Sequence, residues 1–489
     1  MVFGAVSVTL WVIYAYIIDV RQTRHTVRRN FPVIGRFRYV FEHLGEFFRQ
    51  YFFAMDREEM PFNRAERAWV YKAAKQESTM IAFGSTRQLD VPGTVLFVNS
   101  PFPALEGSFA PVQPLTIGSD CRNPYEAPSL VNISGMSFGA LSRPAVQALS
   151  KGAAAAGCWM NTGEGGLSPY HLEGGCDIVF QIGTTKYGVR DERGELDDDK
   201  LRAIAKHDQV KMFEIKMSQG AKPGKGGILP GEKVSAEIAK IRHIPEGEDS
   251  ISPNGHPDIR SVDDLLDMIE RVRSVTGKPV GFKVVLGDID WIRELCMAIH
   301  RRGSEFGPDF ITLDGAEGGT GAAPQPLMDY MGLPLKQALP LLVDTLDEYH
   351  LRPRIRIIAS AKLITPDRVA WALCVGADFV VSARGFMFAL GCIQALQCNK
   401  NTCPTGITTH DPQLQKGLVV TDKATRVRHF VETLVKEVGV IAHSCGVEEP
   451  RELTRDHARM VVDNGETPKL STLYGAKDFH PGNDLPRMD

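Results

Sequence analysis

Leu130-Val-Asn-Ile-Ser-Gly135 is a short apolar run that breaks at once into Met136-Ser-Phe-Gly-Ala-Leu-Ser142, a turn rich in glycine and serine. The unit recurs. Apolar runs of strand length follow at 157–161, 178–182, 212–217, 279–285, 310–314, 355–360 and 378–383, separated by segments whose apolar residues fall at helical spacing. Runs that are apolar throughout, rather than at alternate positions, belong to strands buried on both faces, as parallel strands are. Eight of them alternating with helices predict an α/β fold, a closed (β/α)8 TIM barrel over 111–420. The intervening helices have recognisable starts: Ser261 stands three residues before Asp264 as in a capping box, and Thr365 precedes a first-turn Pro366.

The chain changes character on either side of this block. Residues 1–18 carry no charge, whereas 19–38 hold Arg21, Arg24, Arg28, Arg29, Arg36 and Arg38. About 18 helical residues rise roughly 27 Å, enough for a bilayer core, so 1–20 reads as a single transmembrane helix. The arginines place everything after Asp19 on the cytoplasmic side of the cell membrane. A cleaved signal peptide has the reverse order, with positive charge ahead of the apolar run. Residues 21–110 read as a helical lead-in, with aromatic residues in helical rhythm between Phe41 and Phe53. In the final stretch, 421–489, Val427, Phe430, Val431, Leu434, Val435, Val438 and Ile441 mark the packing face of a helix, and a polar tail with loop character starts at Asn464.

A net charge of −3 over 489 residues leaves no basic footprint for nucleic acid. Cys121, Cys158, Cys176, Cys296, Cys374 and Cys445 are scattered singly, unlike a secreted disulfide scaffold, which points to a reducing compartment. The other three cysteines are grouped. Cys392, Cys398 and Cys403 stand in the spacing C-x5-C-x4-C, and Cys403 runs into Pro404. Compactly spaced thiolates beside a proline-bent loop suit an iron–sulfur cluster, against the plain alternative of neighbouring core cysteines. Three ligands suit a three-iron cluster, or a four-iron cluster with one open site.

Chemistry in a parallel barrel sits at the C-terminal strand ends. There the sequence has Ser134 to Ser142, Asn161-Thr-Gly-Glu164-Gly-Gly166, Lys216-Met-Ser-Gln219-Gly-Ala-Lys222-Pro-Gly, and Asp314-Gly-Ala-Glu-Gly-Gly319-Thr320-Gly321. Four glycine-rich loops on one rim let backbone N–H groups approach a planar or phosphorylated cofactor.

These segments, from about Pro128 to His410, resemble the synthase domain of glutamate synthases, flavoproteins that reductively aminate 2-oxoglutarate on FMN. The block from Lys216 to Arg242, with Leu229-Pro-Gly231 and Lys233-Val234 inside it, is similar to the family's 2-oxoglutarate segment. The resemblance implies that Gln219, Lys222 and Arg242 hold the two substrate carboxylates, and that Glu164 and Lys222 act in catalysis between substrate and flavin. It implies FMN contacts from Met136, Ser137, Gln181, Lys283, Gly319, Thr320, Ser360, Lys362, Ala383 and Arg384, with Lys283 against the flavin N1 edge and Lys186 in another flavin-facing stretch. By the same resemblance Cys392, Cys398 and Cys403 ligate a [3Fe-4S] cluster, or a [4Fe-4S] one. At the phosphate loops this chain has Ser360-Ala-Lys362 and Ser382-Ala-Arg384-Gly385 in place of the family's Asp-Gly-Gly and Gly-Thr-Ala. Ile228, Lys225 and Asn254-Gly-His256-Pro257 are further departures.

An N-terminal nucleophilic cysteine of the glutaminase type is not evident, since the first cysteine is Cys121, and no separate dinucleotide-binding fingerprint follows a strand. The expected partners are therefore a separate electron donor (ferredoxin or a reductase subunit) and ammonia, an amine, or glutamine-derived nitrogen from a separate amidotransferase subunit. An N-alkylglutamate synthase subunit, making for example N-methylglutamate, and a noncatalytic flavin/iron–sulfur redox relay are the alternative readings.

Overall fold

The computed structural model describes residues 2–48, 52–105 and 110–474. The chain forms two compact units, 1–68 and 69–489.

In the first unit, helix Val2–Arg21 is followed by a short helix, Thr26–Asn30, and by Gly35–Phe48. The window Gly4–Arg21 is the one segment among the described residues long and apolar enough to cross a membrane. The aromatic rhythm expected through Phe53 is helical to Phe48, and 49–51 lie outside the described residues.

The second unit is built on eight parallel strands: β1 Val131–Ile133, β2 Met160–Asn161, β3 Ile178–Ile182, β4 Val210–Lys216, β5 Val280–Val284, β6 Phe310–Asp314, β7 Arg356–Ser360 and β8 Phe379–Ser382. They pair in chain order and close when Val380, Val381 and Ser382 of β8 lie beside Val131, Asn132 and Ile133 of β1. All eight expected runs are barrel strands, and the side chains of β1 to β6 and β8 are almost entirely buried, which is why they read as mainly apolar runs.

One end of the barrel is plugged. An antiparallel pair, Leu115–Ile117 with Tyr125–Ala127, packs Ile117, Tyr125 and Ala127 against Trp159, Met212, Phe310 and Phe379 at the N-terminal strand ends. Trp159 meets Phe379 edge-on with ring centroids 5.1 Å apart, and the Tyr125 hydroxyl donates to Asp177 at 2.9 Å. That end is filled by aromatic side chains, and the loops at the other end, the C-terminal rim, are where parallel barrels carry their chemistry.

Helix Val262–Thr276 starts as its sequence indicates, with the Ser261 hydroxyl accepting from the Asp264 N–H at 3.2 Å and Leu265, Leu266, Ile269 and Val272 buried. At the other start the expectation is corrected in part: Thr365 occupies the cap position before Pro366, but its hydroxyl makes no capping bond. The lead-in is not wholly helical either. Residues Val95–Phe97 form a strand antiparallel to Ala458–Met460, so the chain that follows the 26-residue helix Val420–Cys445 returns to the lead-in. A helical turn, Leu470–Leu473, interrupts the tail, and 475–489 lie outside the described residues.

Candidate active site

The loop after β4 runs from Lys216 through Gln219 and Lys222 to Leu229 and feeds the helix Ala236–Arg242, capped by the Ser235 hydroxyl on the Ile238 N–H at 3.4 Å. Arg242, the last residue of that helix, points back under the loop after β1. Its Nη2 donates to Ser137 Oγ at 3.3 Å and to the Phe138 carbonyl at 3.2 Å, and Nη1 donates to Ser250 Oγ at 3.3 Å. Nε is buried without a hydrogen-bond partner, and no carboxylate forms an ion pair with the guanidinium among the described residues. Tyr187 lies under it, with the ring centroid 5.2 Å from Cζ. Burial pulls the group below its ordinary value, against the opposing influence of Tyr187 and Glu164.

Lys222 is similarly placed. It is 5% exposed and makes no side-chain hydrogen bond or ion pair among the described residues. Burial, then repulsion from Lys216, pushes its ammonium down to about 8. Glu164, on the loop after β2, pairs with Lys216 at 3.0 Å. Burial alone would raise its carboxyl, but Lys216, Lys222 and Arg242 outweigh that and hold it below the usual carboxylate range. A side chain at Gly227 would place its Cβ 2.3 Å from Glu164 Oε1, so the glycine lets the substrate-loop backbone close over this carboxylate.

Lys216 was not among the expected site residues, nor were the carboxylates Glu214 and Asp314 deeper in the barrel, which bring the expected Gln181, Lys283 and Ser360 together. The Glu214 carboxylate on β4 accepts from Asn161 at 2.8 Å, Gln181 at 2.7 Å and Thr312 at 2.6 Å, tying β2, β3, β4 and β6 together. Beside it Lys283 on β5 pairs with Asp314 on β6 at 3.2 Å, and Asp314 also accepts from the Gly220 N–H at 2.9 Å and the Ser360 hydroxyl at 3.1 Å. Burial opposes the Lys283 charge, yet Asp314 and Glu214 raise the group above its ordinary value, so it stays an ammonium. Charged residues inside an otherwise apolar strand run, such as Glu214 and Lys216 in Met-Phe-Glu-Ile-Lys, were the available signal.

Gln219 donates to Thr320 Oγ1 at 3.0 Å, joining the loops after β4 and β6. Arg384 Nη2 donates to the Glu317 carbonyl at 2.7 Å, and a Cβ at Gly319 would stand 2.8 Å from Arg384 Nε. The loops that carry Gly319, Thr320 and Arg384 are thus brought together. Ala383 immediately precedes the helix Arg384–Leu390, and the Lys362 carbonyl accepts from Arg368 at 2.9 Å. Met136 is buried one residue before Ser137. Lys186 is committed elsewhere: its ammonium pairs with Asp258 at 2.5 Å. His256 hydrogen-bonds the Lys216 carbonyl at 3.1 Å and, pushed down to about 4 chiefly by burial, is a neutral prop of the same loop.

The cysteine segment docks on the loop after β1. Lys233 Nζ donates to the Ala140 carbonyl at 2.9 Å and to the Cys398 carbonyl at 3.3 Å. His410 hydrogen-bonds the Gly139 carbonyl at 2.8 Å, and the Ser142 N–H donates to Ile407 at 2.8 Å. Burial raises the Cys398 thiol, with Cys403 adding to the shift. At Cys403 burial is outweighed by the Thr405 and Thr408 hydroxyls, which lower it. The Cys392 sulfur accepts from the Gln394 N–H at 3.4 Å. Among the described residues no group of three or more His, Cys, Asp or Glu side chains is gathered as a metal site.

Residues 105–448 match the conserved region in glutamate synthase. This chain belongs to the glutamate synthase family. It is 40% identical over 513 residues to the "glutamate synthase large subunit-like protein YerD" of Bacillus subtilis, covering 96% of this chain and 97% of that one. It is 35% identical over 332 residues to the "archaeal glutamate synthase [NADPH]" of Methanocaldococcus jannaschii, covering 68% of this chain and 61% of that protein. To the "archaeal-type glutamate synthase [NADPH]" of Thermotoga neapolitana it is 34% identical, covering 65% and 59%. As a member of the glutamate synthase family, the chain thus matches a large-subunit-like relative from end to end and the archaeal and archaeal-type glutamate synthases over about three-fifths of their length.

Proposed function

We propose that this protein is an FMN and iron–sulfur oxidoreductase of the glutamate synthase type, which reductively aminates 2-oxoglutarate to glutamate with electrons and nitrogen supplied from outside. The observation that carries the reading is the charge balance at the rim. Around Glu164 stand Lys216, Lys222 and Arg242, three cations to one carboxylate, an excess of two positive charges. Among the described residues Lys222 and Arg242 have no carboxylate of their own. A buried cation without a partner is costly, and a dicarboxylate seated between the two would neutralise both.

In this reading Arg242 and Lys222 grip the two carboxylates, Arg242 through its planar fork and Lys222 as a point charge. Gln219, held by Thr320, contributes a neutral contact. Glu164, kept ionised by its cations, orients the incoming ammonium or amine rather than donating a proton. Lys222, with its ammonium at about 8, is poised to give or take the proton at the substrate carbonyl oxygen near neutral pH. When bound, FMN supplies a hydride, and an iron–sulfur cluster supplies single electrons from a separate donor such as a ferredoxin or a reductase subunit. The residues that would hold these groups are Gly319, Thr320, Ser360, Lys362 and Arg384, on adjoining loops where a phosphate would sit, Lys283, a buried cation paired with Asp314, and Cys392, Cys398 and Cys403, on a segment fastened to the same rim but not gathered as a ligand set.

The test uses purified full-length protein reduced with dithionite. Reoxidation accelerated by 2-oxoglutarate with ammonium, together with glutamate formation, is the expected result. Acceleration only with methylamine would move the reading to N-methylglutamate, and no response from folded, cofactor-replete protein would overturn it in favour of a redox relay.

A further inference from the structure

The first unit carries a second apolar surface that the transmembrane reading of 1–20 does not use. At 100° per residue, Ile34, Phe37, Phe41, Leu44 and Phe48 fall within an arc of roughly 80° on one side of the helix Gly35–Phe48. They follow the alternating three- and four-residue steps of a single helical face. All five side chains are exposed, Phe41 at 65% and Ile34 at 73%, and Phe31 just ahead of them is at 64%. Exposed Val40 borders this arc, and Arg36, Arg38, Tyr39, Glu42 and His43 lie round the rest of the helix.

What joins this helix to the first is a buried carboxylate. Asp19, near the end of Val2–Arg21, is fully buried. Its Oδ1 accepts from Arg28 Nη2 at 2.6 Å and Nε at 2.9 Å, and its Oδ2 accepts from Arg36 Nε at 2.7 Å and the Val33 N–H at 3.0 Å. Arg36 also reaches the Ala15 carbonyl at 3.3 Å and lies over the Trp11 ring at 5.9 Å. Gln22 closes the intervening turn by donating to the Asp19 and His25 carbonyls at 3.0 and 2.9 Å. One carboxylate thus fastens the start of the helix Gly35–Phe48 to the end of the first helix, across the connection 22–33.

We propose that Gly35–Phe48 is an in-plane membrane helix, seated by Ile34, Phe37, Phe41, Leu44 and Phe48 in an anionic lipid surface and held there by the Asp19 elbow. The inference rests on residues 4–21 crossing the bilayer. Two observations choose lipid as the occupant. The apolar face follows that segment after a connection of twelve residues, 22–33. Residues 19–38 also carry Arg21, Arg24, Arg28, Arg29, Arg36 and Arg38 against Asp19 alone, a charge complementary to anionic headgroups. Aromatic and leucine side chains on one face with arginine near the other are the composition that suits the headgroup–acyl boundary.

The experiment reconstitutes the full-length protein into phosphatidylethanolamine/phosphatidylglycerol vesicles that contain a diazirine-labelled phospholipid, irradiates them, and maps lipid adducts by mass spectrometry. Adducts are expected on peptides from 4–21 and also on 34–48. In Phe37→Glu/Phe41→Glu the 34–48 adducts should fall about tenfold or more while those on 4–21 persist, since each lost aromatic contact is worth a factor of this size. Asp19→Asn should lower the 34–48 adducts without abolishing those on 4–21. Adducts on 4–21 with none on 34–48 overturn the in-plane helix and leave the anchor standing. Crosslinks between the 34–48 faces of two copies, replacing lipid adducts there, overturn it in favour of self-association. Adducts on neither segment remove the anchor and the inference together.

Discussion

Replacing Lys222 by methionine separates function from stability, because in the proposed reading the side chain would serve the substrate at the expense of the fold. Its ammonium lies at about 8 in the folded protein against 10.5 in an open chain. That gap corresponds to roughly 3 kcal/mol of penalty for keeping the charge inside. Because the folded-state value is the lower one, the penalty is complete below pH 8 and fades as pH rises toward 10.5. Methionine keeps the length and the packing and removes the charge, and no hydrogen bond is broken in doing so. Substrate-free Lys222→Met protein should therefore unfold at higher temperature than the natural protein at pH 7, by on the order of a few degrees for a chain of this size. The difference should shrink by pH 10. The same variant loses a charge-assisted contact to a carboxylate worth about 1.5–3 kcal/mol, so its 2-oxoglutarate requirement should rise roughly tenfold or more. Adding 2-oxoglutarate should raise the melting temperature of the natural protein and leave that of the variant nearly unmoved. Thermal unfolding with and without 2-oxoglutarate, at pH 7 and pH 10, measures all of this. A variant that is less stable at pH 7, or that is stabilised by 2-oxoglutarate as much as the natural protein, refutes the placement of Lys222 as an unpaired substrate cation.

Lys216→Met removes the ion pair at Glu164, whose carboxyl is held low by its cations; the acid limb of the pH–rate profile should move to higher pH, and an unmoved limb would put Glu164 outside the reaction. Gly319→Ala brings a Cβ to 2.8 Å from Arg384 Nε, so FMN titration of apoprotein should show weaker binding by about 1–3 kcal/mol, with circular dichroism unchanged. Cys398→Ser should strip most of the iron from anaerobically purified protein and leave the flavin content intact, and iron equal to the natural protein's would remove Cys398 from the ligand set. Lys283→Ala leaves Asp314 buried without its cation, so flavin retention should fall, and overall stability should fall with it by about 3–5 kcal/mol.

The barrel was legible because a strand buried on both faces needs apolar side chains on both, and this leaves a mark in one dimension: β3 and β6 occupy the same residues in sequence and structure, 178–182 and 310–314. The rim motifs were legible for a related reason. A Cβ at Gly163, Gly227 or Gly319 would stand against Ser137, Glu164 or Arg384, and Lys222 is a buried cation with no ion pair among the described residues. What the sequence could not state is which charges meet. Glu164 and Lys216, Lys283 and Asp314, and Asp19 with Arg28 and Arg36 stand up to 52 residues apart, and only the closed barrel or the folded elbow brings their atoms within 3.2 Å. Lys283 therefore read as a strand-end cation placed against the flavin N1 edge, and its pairing with Asp314 could not be read. Asp19 read as the edge of an apolar run and proved to be its hinge. Periodicity along a chain records whether a position is buried; partnership between charges depends on distances across the fold, which tertiary structure alone decides.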